Sequence, residues 1–270
     1  QYSVIYYYGS SGRRLTAKSM TIEGHTVTFS KWTSNNETYV KSSTVNPYGS
    51  FTWPAIPDGT AITLTASASK TPNKYEVTYK DVVGSTTGKV LGTSKESVNF
   101  GIQVTGASKG TDTTEGAYYK GYLYDSSTTA TVTTSGATVY RIFKPSTNTK
   151  YTVEHYVMKT DGTYDTAVTK VDSTKTGTTD SKVTIANLKD STLLVTNGIY
   201  YSYGQVDGKT VTSTTIKGDG TRVIKLYYAR TSGTLKTVAG ENIESVTVHN
   251  SVKYYYDSTV PRLTAKTMPK

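Results

Sequence analysis

Hydrophobic and polar residues alternate in several short runs, which predicts β-strands with one buried face. Three of these runs begin alike, with YSVIYYY at Tyr2, YEVTYK at Tyr75 and YTVEHYV at Tyr151. Three further runs follow a glycine-containing turn, with DGTAITLTA at Asp58, SGATVYRIF at Ser135 and GDGTRVIKLYY at Gly218. Their recurrence predicts a tandem array of small, mostly β modules rather than one large sandwich.

Short polar segments that contain proline or glycine follow the three closing strands: SKTPNK at Ser69, KPSTNTK at Lys144 and RTSGT at Arg230. Segments of this kind are typical of domain boundaries. We therefore expect modules at residues 1–70, 74–146 and 150–230. Residues 231–270 would form a linker with either the start of a further module or an exchanged strand.

One phrase occurs twice. SVIYYYGSSGRRLTAKSM at residues 3–20 returns as SVKYYYDSTVPRLTAKTM at residues 251–268, without a gap and shifted by 248 positions. On one interpretation the chain is part of a longer repeat protein, and the second copy starts its next repeat; partial units at the end of an array favour this. On the other, the segment adds as a strand to a neighbouring chain and builds a filament, with these candidate assembly residues: Tyr254, Tyr255, Tyr256, Arg262 and Leu263.

The composition supports β structure. The chain has 24 Tyr against 4 Phe and 2 Trp, and threonine makes up roughly a fifth of it, in keeping with strands that have wet outer faces. The formal charge of +10 comes from dispersed lysines, which we interpret as protection of strand edges rather than as a nucleic-acid surface. The chain has no cysteine, which excludes disulfides and thiolate chemistry.

The candidate chemistry is sparse. The three histidines, His25, His155 and His249, lack the spacing of a metal site. DGTYD at Asp161 is better interpreted as a turn than as a calcium loop. No phosphate loop, nucleophile elbow or carboxylate pair stands out, so we expect neither an enzyme nor a cofactor. No apolar run is long enough to span a membrane, no signal segment opens the chain, and no sortase-type anchor is recognisable near Lys270.

Paired tyrosines recur in two modules, as GAYYKGYLY at Gly116 and GIYYSYGQV at Gly198. Alternation along a strand would place one ring of each pair on each sheet face. The candidate ligand-binding aromatics are therefore Tyr118, Tyr119, Tyr200 and Tyr201. Two roles are open for them: an exposed platform for a sugar or a protein partner, or rings that fill the core with their hydroxyls at its edge. The second is favoured, because the pairs occupy similar places in the two modules.

YTVEHYVMKTDGTY at Tyr151, with GTT at Gly177 and GDGTRVIKLYYAR at Gly218, resembles the mucin-binding-type (MucBP-like) repeats of Gram-positive surface proteins. FSKWT at Phe29, FTWP at Phe51 and ITLTA at Ile62 resemble the internalin B-repeat, also called the Listeria–Bacteroides repeat. The stretch from Tyr75, with YEVTYKDVVG and ATVYRIF, matches the mucin-binding type more loosely.

The resemblance implies β-grasp-like units, each a mixed sheet of four or five strands that is sometimes crossed by one short helix. It also implies an extracellular place on a bacterial cell surface, as a stalk, spacer or adhesive region. The implied partners are host or cell-wall glycans or surface proteins, with self-association by strand addition as an alternative. Neither a nucleic-acid partner nor a membrane span is expected.

Overall fold

The alternating runs form strands in the computed structural model, which describes residues 4–11, 15–18, 20–46 and 51–269. The structure is mostly β. Its strands are β1 (His25–Ser34), β2 (Leu64–Pro72), β3 (Lys74–Val83), β4 (Val90–Asn99), β5 (Gln103–Thr105), β6 (Tyr122–Ser127), β7 (Thr129–Thr131), β8 (Ala137–Pro145), β9 (Thr149–Val157), β10 (Lys170–Gly177), β11 (Lys182–Thr184), β12 (Ile199–Val206), β13 (Lys209–Thr210), β14 (Ser213–Thr215), β15 (Val223–Arg230), β16 (Ser232–Leu235), β17 (Ile243–Val246), β18 (Val252–Tyr255) and β19 (Ala265–Thr267).

Helical structure in these ranges is short. It comprises α1 (Ser42–Val45) and three 3₁₀ turns, Gly106–Lys109, Ile185–Leu188 and Ser191–Leu193. Among the residues described, no helix has the length and apolar character needed to cross a membrane. Two compact units are distinguished: one takes the chain up to Val82 with 86–110 and 126–141, and the other takes 83–85, 111–125 and the chain from Ile142 onward.

The first strands along the chain form an antiparallel pair, in which β1 runs from His25↔Pro72 to Ser34↔Leu64 of β2. Trp32 of β1 packs with Val40 and Val45 in a small core to which Phe29 and Leu64 also contribute. Tyr2 and Ser3, where the first alternating run was predicted to begin, lie outside the described residues. The described part of that run, residues 4–8, belongs to no strand.

A four-stranded sheet has the strand order β4-β3-β8-β6. Its buried residues include Val77, Tyr79 and Val139, which pack on the small antiparallel pair of β5 and β7. The buried Asp81 of β3 accepts two hydrogen bonds from the buried Arg141 of β8, at 2.8 Å from Nε and 2.7 Å from Nη2. Arg141 Nη1 also donates to a backbone carbonyl, 2.8 Å away, so this ion pair is well hydrogen-bonded within the sheet.

A five-stranded sheet has the order β10-β9-β15-β12-β13. The neighbouring strands β9 and β15 run parallel, and the other three pairs are antiparallel. The buried residues on its inner face are Tyr151, Val153, Ile185, Val206, Ile216, Ile224, Leu226 and Tyr228. The Tyr228 hydroxyl accepts from the Asp190 N–H at 2.9 Å and lies 2.8 Å from Nδ1 of His155. Burial lowers the pKa of His155, which favours the neutral ring in this core.

The four-stranded and five-stranded sheets have the strand number that the resemblance implies, whereas β1 and β2 form a two-stranded sheet. The glycine turns before the closing strands are present, at Gly59, Gly136 and Gly220, each with a positive φ. β2, β8 and β15 follow these turns, as the sequence predicts. In the place of a crossing α-helix, the last two modules have the 3₁₀ turns at 106–109 and 185–188. The β-grasp assignment therefore stays a prediction.

The last segment of the chain pairs within the chain. β16 and β18 are antiparallel, from Ser232↔Tyr255 to Leu235↔Val252. β17 and β19 form a second antiparallel pair. The repeated phrase at 251–268 thus supplies β18 and β19. Arg262 and Leu263 lie exposed between these two strands.

Candidate functional site: the joints between sheets

Tyr118 and Tyr119, two of the four candidate ligand-binding tyrosines, lie in a loop before β6 rather than in a strand. Both rings meet the fully buried Phe143 edge-on, with centroid distances of 5.8 and 5.3 Å. The Tyr118 hydroxyl accepts from the Asp112 N–H at 3.0 Å. The prediction of one ring on each sheet face does not hold here, because Gly116 and Gly121 both have positive φ and keep the segment between them in a loop.

Tyr200 and Tyr201 do lie in a strand, β12, and alternate as predicted. Tyr201 packs on the core and meets Tyr228 edge-on at 6.3 Å, whereas half of the Tyr200 side chain is exposed (50%). In the sheet, the counterpart of Tyr201 is Tyr124 of β6, which meets Phe143 edge-on at 6.0 Å. The two tyrosine pairs therefore do not occupy equivalent positions, although their sequences align.

A tyrosine row that the sequence did not reveal crosses the outer face of the five-stranded sheet. Tyr227 of β15 stacks on Tyr156 of β9 at 5.1 Å and on Tyr203 of β12 at 4.6 Å. Tyr164, from the loop after β9, meets Tyr227 edge-on at 5.1 Å, and burial raises its pKa to about 12. Since the row comes from three strands, only the pairing register brings it together. Rings therefore cover both faces of this sheet.

The histidines serve structural contacts. His25 Nδ1 lies 2.7 Å from the Glu23 carbonyl oxygen, and His249 Nδ1 lies 2.9 Å from the Tyr254 hydroxyl. No group of three or more His, Cys, Asp or Glu side chains comes together as a metal site within the described ranges. The Asp161 carboxylate accepts from the backbone N–H of Thr163 at 2.8 Å, which confirms the predicted turn.

The recurring feature of the molecule is a set of three residues at each joint between sheets. At the first joint, the N–H of Asn73, just after β2, donates to the carbonyl oxygen of Gly24 at 2.8 Å. The Asn73 carbonyl oxygen accepts from the N–H of Phe100, just after β4, also at 2.8 Å. The Phe100 ring lies directly on Gly24. We call such a glycine, joint residue and covering residue a joint triad.

The second joint triad is Gly121, Ser146 and Thr179. The N–H of Ser146, which follows β8, donates to the Gly121 carbonyl oxygen at 2.8 Å, and the Ser146 carbonyl oxygen accepts from the Thr179 N–H at 2.9 Å. Thr179 is buried and its hydroxyl lies 2.6 Å from that of Thr149. Here Thr179 covers the glycine, as Phe100 does at the first joint.

The third joint triad is Gly198, Thr231 and Tyr256. The N–H of Thr231, which follows β15, donates to the Gly198 carbonyl oxygen at 2.8 Å, and its carbonyl oxygen accepts from the Tyr256 N–H at 2.8 Å. The Tyr256 ring lies on Gly198, and the Arg230 guanidinium stacks 5.9 Å from the ring centroid. Arg230 Nη1 also donates to the Tyr256 carbonyl oxygen at 2.9 Å.

The three triads occupy the same place in the strand order. Each glycine directly precedes a strand, namely β1, β6 or β12; each joint residue directly follows β2, β8 or β15. Each covering residue comes within two residues after β4, β10 or β18. Relative to the triads, β16 and β18 occupy the places that β3 and β4, and β9 and β10, take after the first two joints, and the repeated phrase supplies β18. Asn73, Ser146 and Thr231 also fall within the three predicted boundary segments.

Each triad needs a glycine because its neighbours leave no room for a side chain. A Cβ atom on Gly24 would lie 2.1 Å from the Phe100 ring, and one on Gly198 would lie 2.9 Å from the Tyr256 ring. On Gly121 it would lie 2.4 Å from the Cα atom of Gly218, in addition to 2.5 Å from Thr179 Oγ1. Such separations are far inside van der Waals contact, so a side chain would force the joint apart.

Of the five candidate assembly residues, three contact other parts of the chain and two are exposed to solvent. The Tyr255 ring lies on Gly162, where a Cβ atom would be 2.3 Å away. The Tyr254 hydroxyl contacts His249, and Tyr256 covers Gly198. Three tyrosines predicted to contact a neighbouring chain therefore contact their own chain, whereas Arg262 and Leu263 are exposed.

We expect Gly198→Ala to loosen the third joint without unfolding the sheet. The added methyl group would displace the Tyr256 ring and weaken the hydrogen bond between Tyr256 and Thr231. Amide hydrogen exchange should show faster exchange at Tyr256 in the variant, with unchanged protection in β9 and β15. Gly233→Ala is the matched control, because a Cβ atom there meets nothing within 4 Å. Equal exchange at Tyr256 in wild type and Gly198→Ala would contradict the role of the ring.

Comparisons with known proteins give little beyond this geometry. No family model matches the chain, and no curated protein matches it. Among solved structures, the chain is similar to Streptococcal High Identity Repeats in Tandem (SHIRT) domains 3–4 from a cell surface protein. That similarity has 17% sequence identity, a TM-score of 0.21, and covers 58% of this chain and 99% of the other.

Proposed function

We propose that this chain is a non-enzymatic stalk: a tandem-repeat region of an extracellular, bacterial cell-surface or secreted protein that holds its modules in series. The observation that carries the proposal is the recurrence of one main-chain joint triad at residues 73, 146 and 231. A flexible linker would leave its backbone groups to water, whereas each joint residue has its N–H and its carbonyl oxygen bonded to two different parts of the fold.

Side chains cover both faces of the five-stranded sheet, and this supports a mechanical role for the module. The core on the inner face and the tyrosine row on the outer face leave the five-stranded sheet with little room for an enclosed pocket. Catalytic sites usually need a concave, water-excluding cavity. A sheet filled in this way suits a module that transmits load and keeps its shape.

The stalk proposal is tested by the width of a distance distribution across the second joint. The chain has no cysteine, so Asp125→Cys and Val171→Cys, both on exposed positions, can carry two spin labels. We expect a narrow distribution from pulsed electron resonance in the otherwise wild-type chain and a broad one after Gly121→Ala. Gly208→Ala is the control, since its Cβ atom meets nothing within 4 Å. A broad distribution in the wild-type background would refute a fixed joint.

A second candidate function, weak glycan or protein binding, is favoured by the surroundings of Tyr200. Its half-exposed ring borders an open depression of about 620 Å³, which is also lined by Lys189, Ser191, Asn197 and Tyr201. An aromatic face beside amide, hydroxyl and ammonium groups suits a sugar, and repeated weak sites gain strength by multivalency. Loss of glycan-array signal in Tyr200→Ala, with Tyr39→Ala as the exposed-tyrosine control, would support it. No signal in wild type would exclude glycans as the ligand.

A filament built by strand addition of residues 251–268 is a further alternative. It requires β18 to leave β16 and Tyr256 to leave Gly198 before the segment can pair with another chain. Concentration-dependent polymers of the full chain that disappear on truncation after Asn250 would support this alternative.

A further inference from the structure

The two copies of the repeated phrase share one backbone turn. In the first copy the Ser10 N–H donates to the Tyr7 carbonyl oxygen at 2.9 Å, and in the second the Ser258 N–H donates to that of Tyr255 at 2.9 Å. The residue before each serine has a positive φ: 77° at Gly9 and 65° at Asp257. The offset of 248 residues relates every member of one turn to its counterpart in the other. The two segments therefore share the backbone turn that contains the last two of their three tyrosines.

The surroundings of the two turns differ. In the second copy, Tyr255 covers Gly162 and Tyr256 covers Gly198. In the first, the counterparts Tyr7 and Tyr8 are 77% and 79% exposed. Ile5, the counterpart of Lys253 in β18, is 83% exposed. Three large side chains within four residues are mostly exposed, which marks an interaction surface.

We propose that residues 4–8 are a second ligand for the third joint. They bind this joint in another copy of the chain when residues 251–256 of that copy do not occupy it, with Tyr8 as the covering residue in place of Tyr256. The inference rests on the proposed role of the joint triads. The partner is a second copy of this chain, because the structure shows the site that receives the repeated phrase. That site consists of Gly162, Gly198, the Thr231 carbonyl oxygen and the edge of β16. The contact pairs residues 4–7 with the edge of β16 by strand addition.

The offset fixes the register of the contact. β18 pairs Tyr255 with Ser232 and Lys253 with Thr234, so Tyr7 of one copy would lie opposite Ser232 of the other, and Ile5 opposite Thr234. The Tyr8 N–H would donate to the Thr231 carbonyl oxygen, and its ring would lie on Gly198. The added segment brings apolar Ile5 where the tail has a lysine.

In the full chain this site is closed. The tail is attached to the site it covers, so its effective concentration exceeds that of any second copy in dilute solution. Truncation after Asn250 opens the site, because it removes β18 and Tyr256 and leaves Thr231, Gly198 and β16. Among the described residues, the hydrophobic core of the five-stranded sheet contains none beyond Tyr228, so the truncation leaves that core complete.

The test compares residues 1–250 with the full chain by sedimentation velocity across a wide concentration range. We expect residues 1–250 to form a concentration-dependent series of head-to-tail oligomers, since such a contact does not close on itself, and the full chain to stay monomeric. Tyr7→Ala with Tyr8→Ala in residues 1–250 should restore the monomer, whereas Tyr39→Ala, at another exposed tyrosine, should not.

A disulfide cross-link checks the register. Residues 1–250 with Ile5→Cys, mixed with residues 1–250 carrying Thr234→Cys, should form a mixed disulfide under air oxidation, because residues directly opposite in a sheet fall within bonding reach. The Lys236→Cys partner, beyond the end of β16, should react much less.

The proposal is overturned if residues 1–250 stay monomeric at every concentration, or if their association survives loss of Tyr7 and Tyr8, as it would if truncation merely caused misfolding. Polymers of the full chain alone would overturn it as well and favour the filament. These outcomes are separate from the spin-label result at the second joint, which uses the full chain and tests the stalk proposal by itself.

Discussion

Gly121→Ala is expected to lower the free energy of unfolding by about 2–5 kcal/mol. Two costs combine: about 1–2 kcal/mol for a side chain in the left-handed region, and about 1–3 kcal/mol for overpacking. Gly121 has φ of 78°, and its added Cβ atom would lie 2.4 Å from the Cα atom of Gly218. Backbone, unlike a flexible side chain, cannot move aside cheaply.

Two other glycines separate these costs. Gly208→Ala carries only the backbone cost, since its φ is 76° and nothing lies within 4 Å of the added atom. Gly218→Ala carries the steric cost, at 2.3 Å from the Lys120 carbonyl oxygen, without a positive φ. Urea unfolding of the three variants, followed by circular dichroism, should rank Gly121→Ala as the least stable. If Gly121→Ala matched Gly208→Ala, the close contact at the second joint would not contribute to stability.

Arg141→Met is expected to cost about 3–5 kcal/mol, because it leaves the buried carboxylate of Asp81 without its charged partner. Arg141 contacts the Asp81 carboxylate through two hydrogen bonds, and both residues are buried. Lys144→Met is the control: its partner Asp125 lies 3.2 Å away, both side chains are largely exposed, and such pairs contribute roughly 0–1 kcal/mol. The measurement is again urea unfolding.

The double variant Asp81→Val with Arg141→Leu should recover most of that loss. Removing both members of a buried pair leaves no uncompensated charge. The corresponding positions of the five-stranded sheet are occupied by leucine and histidine rather than by an ion pair. The Gly84 N–H donates to the Phe143 carbonyl oxygen as the Met158 N–H donates to that of Tyr228, so Leu226 and His155 are the counterparts of Arg141 and Asp81. A double variant no more stable than Arg141→Met would show that the ion pair itself is needed there.

The sequence predicts the local elements of this fold well. Glycine turns followed by alternating residues mark β2, β8 and β15, because a positive φ and a period of two are properties of neighbouring residues. The polar segments around residues 73, 146 and 231 likewise mark the joints. The joint triads lie beyond such reasoning. Their glycines are distant from the joint residues along the chain, and the covering residues share no side-chain chemistry.

The tyrosine pairs show where sequence likeness misleads. Aligning GAYYKGYLY with GIYYSYGQV makes Tyr119 the counterpart of Tyr201. The strand positions make it Tyr124, which lies three residues after Gly121 in β6 as Tyr201 lies three residues after Gly198 in β12. Register is set by which side chain reaches the core, and an extra loop before β6 shifts it. The glycine directly before each of β1, β6 and β12 is the sequence feature that gives the correct alignment of the modules.

The joint residues differ in side chain while sharing their backbone contacts. Asparagine, serine and threonine stand at the three positions, since what each supplies is one N–H and one carbonyl oxygen. Any residue except proline, which lacks the N–H, satisfies that requirement. We therefore expect modules with this kind of boundary to be exchangeable. In a chimaera joined at one of these positions, any residue other than proline can make both backbone hydrogen bonds, provided that the glycine of the triad is kept. Arrays of new length and order could be assembled from these sheets by recombination, without redesign of the seams.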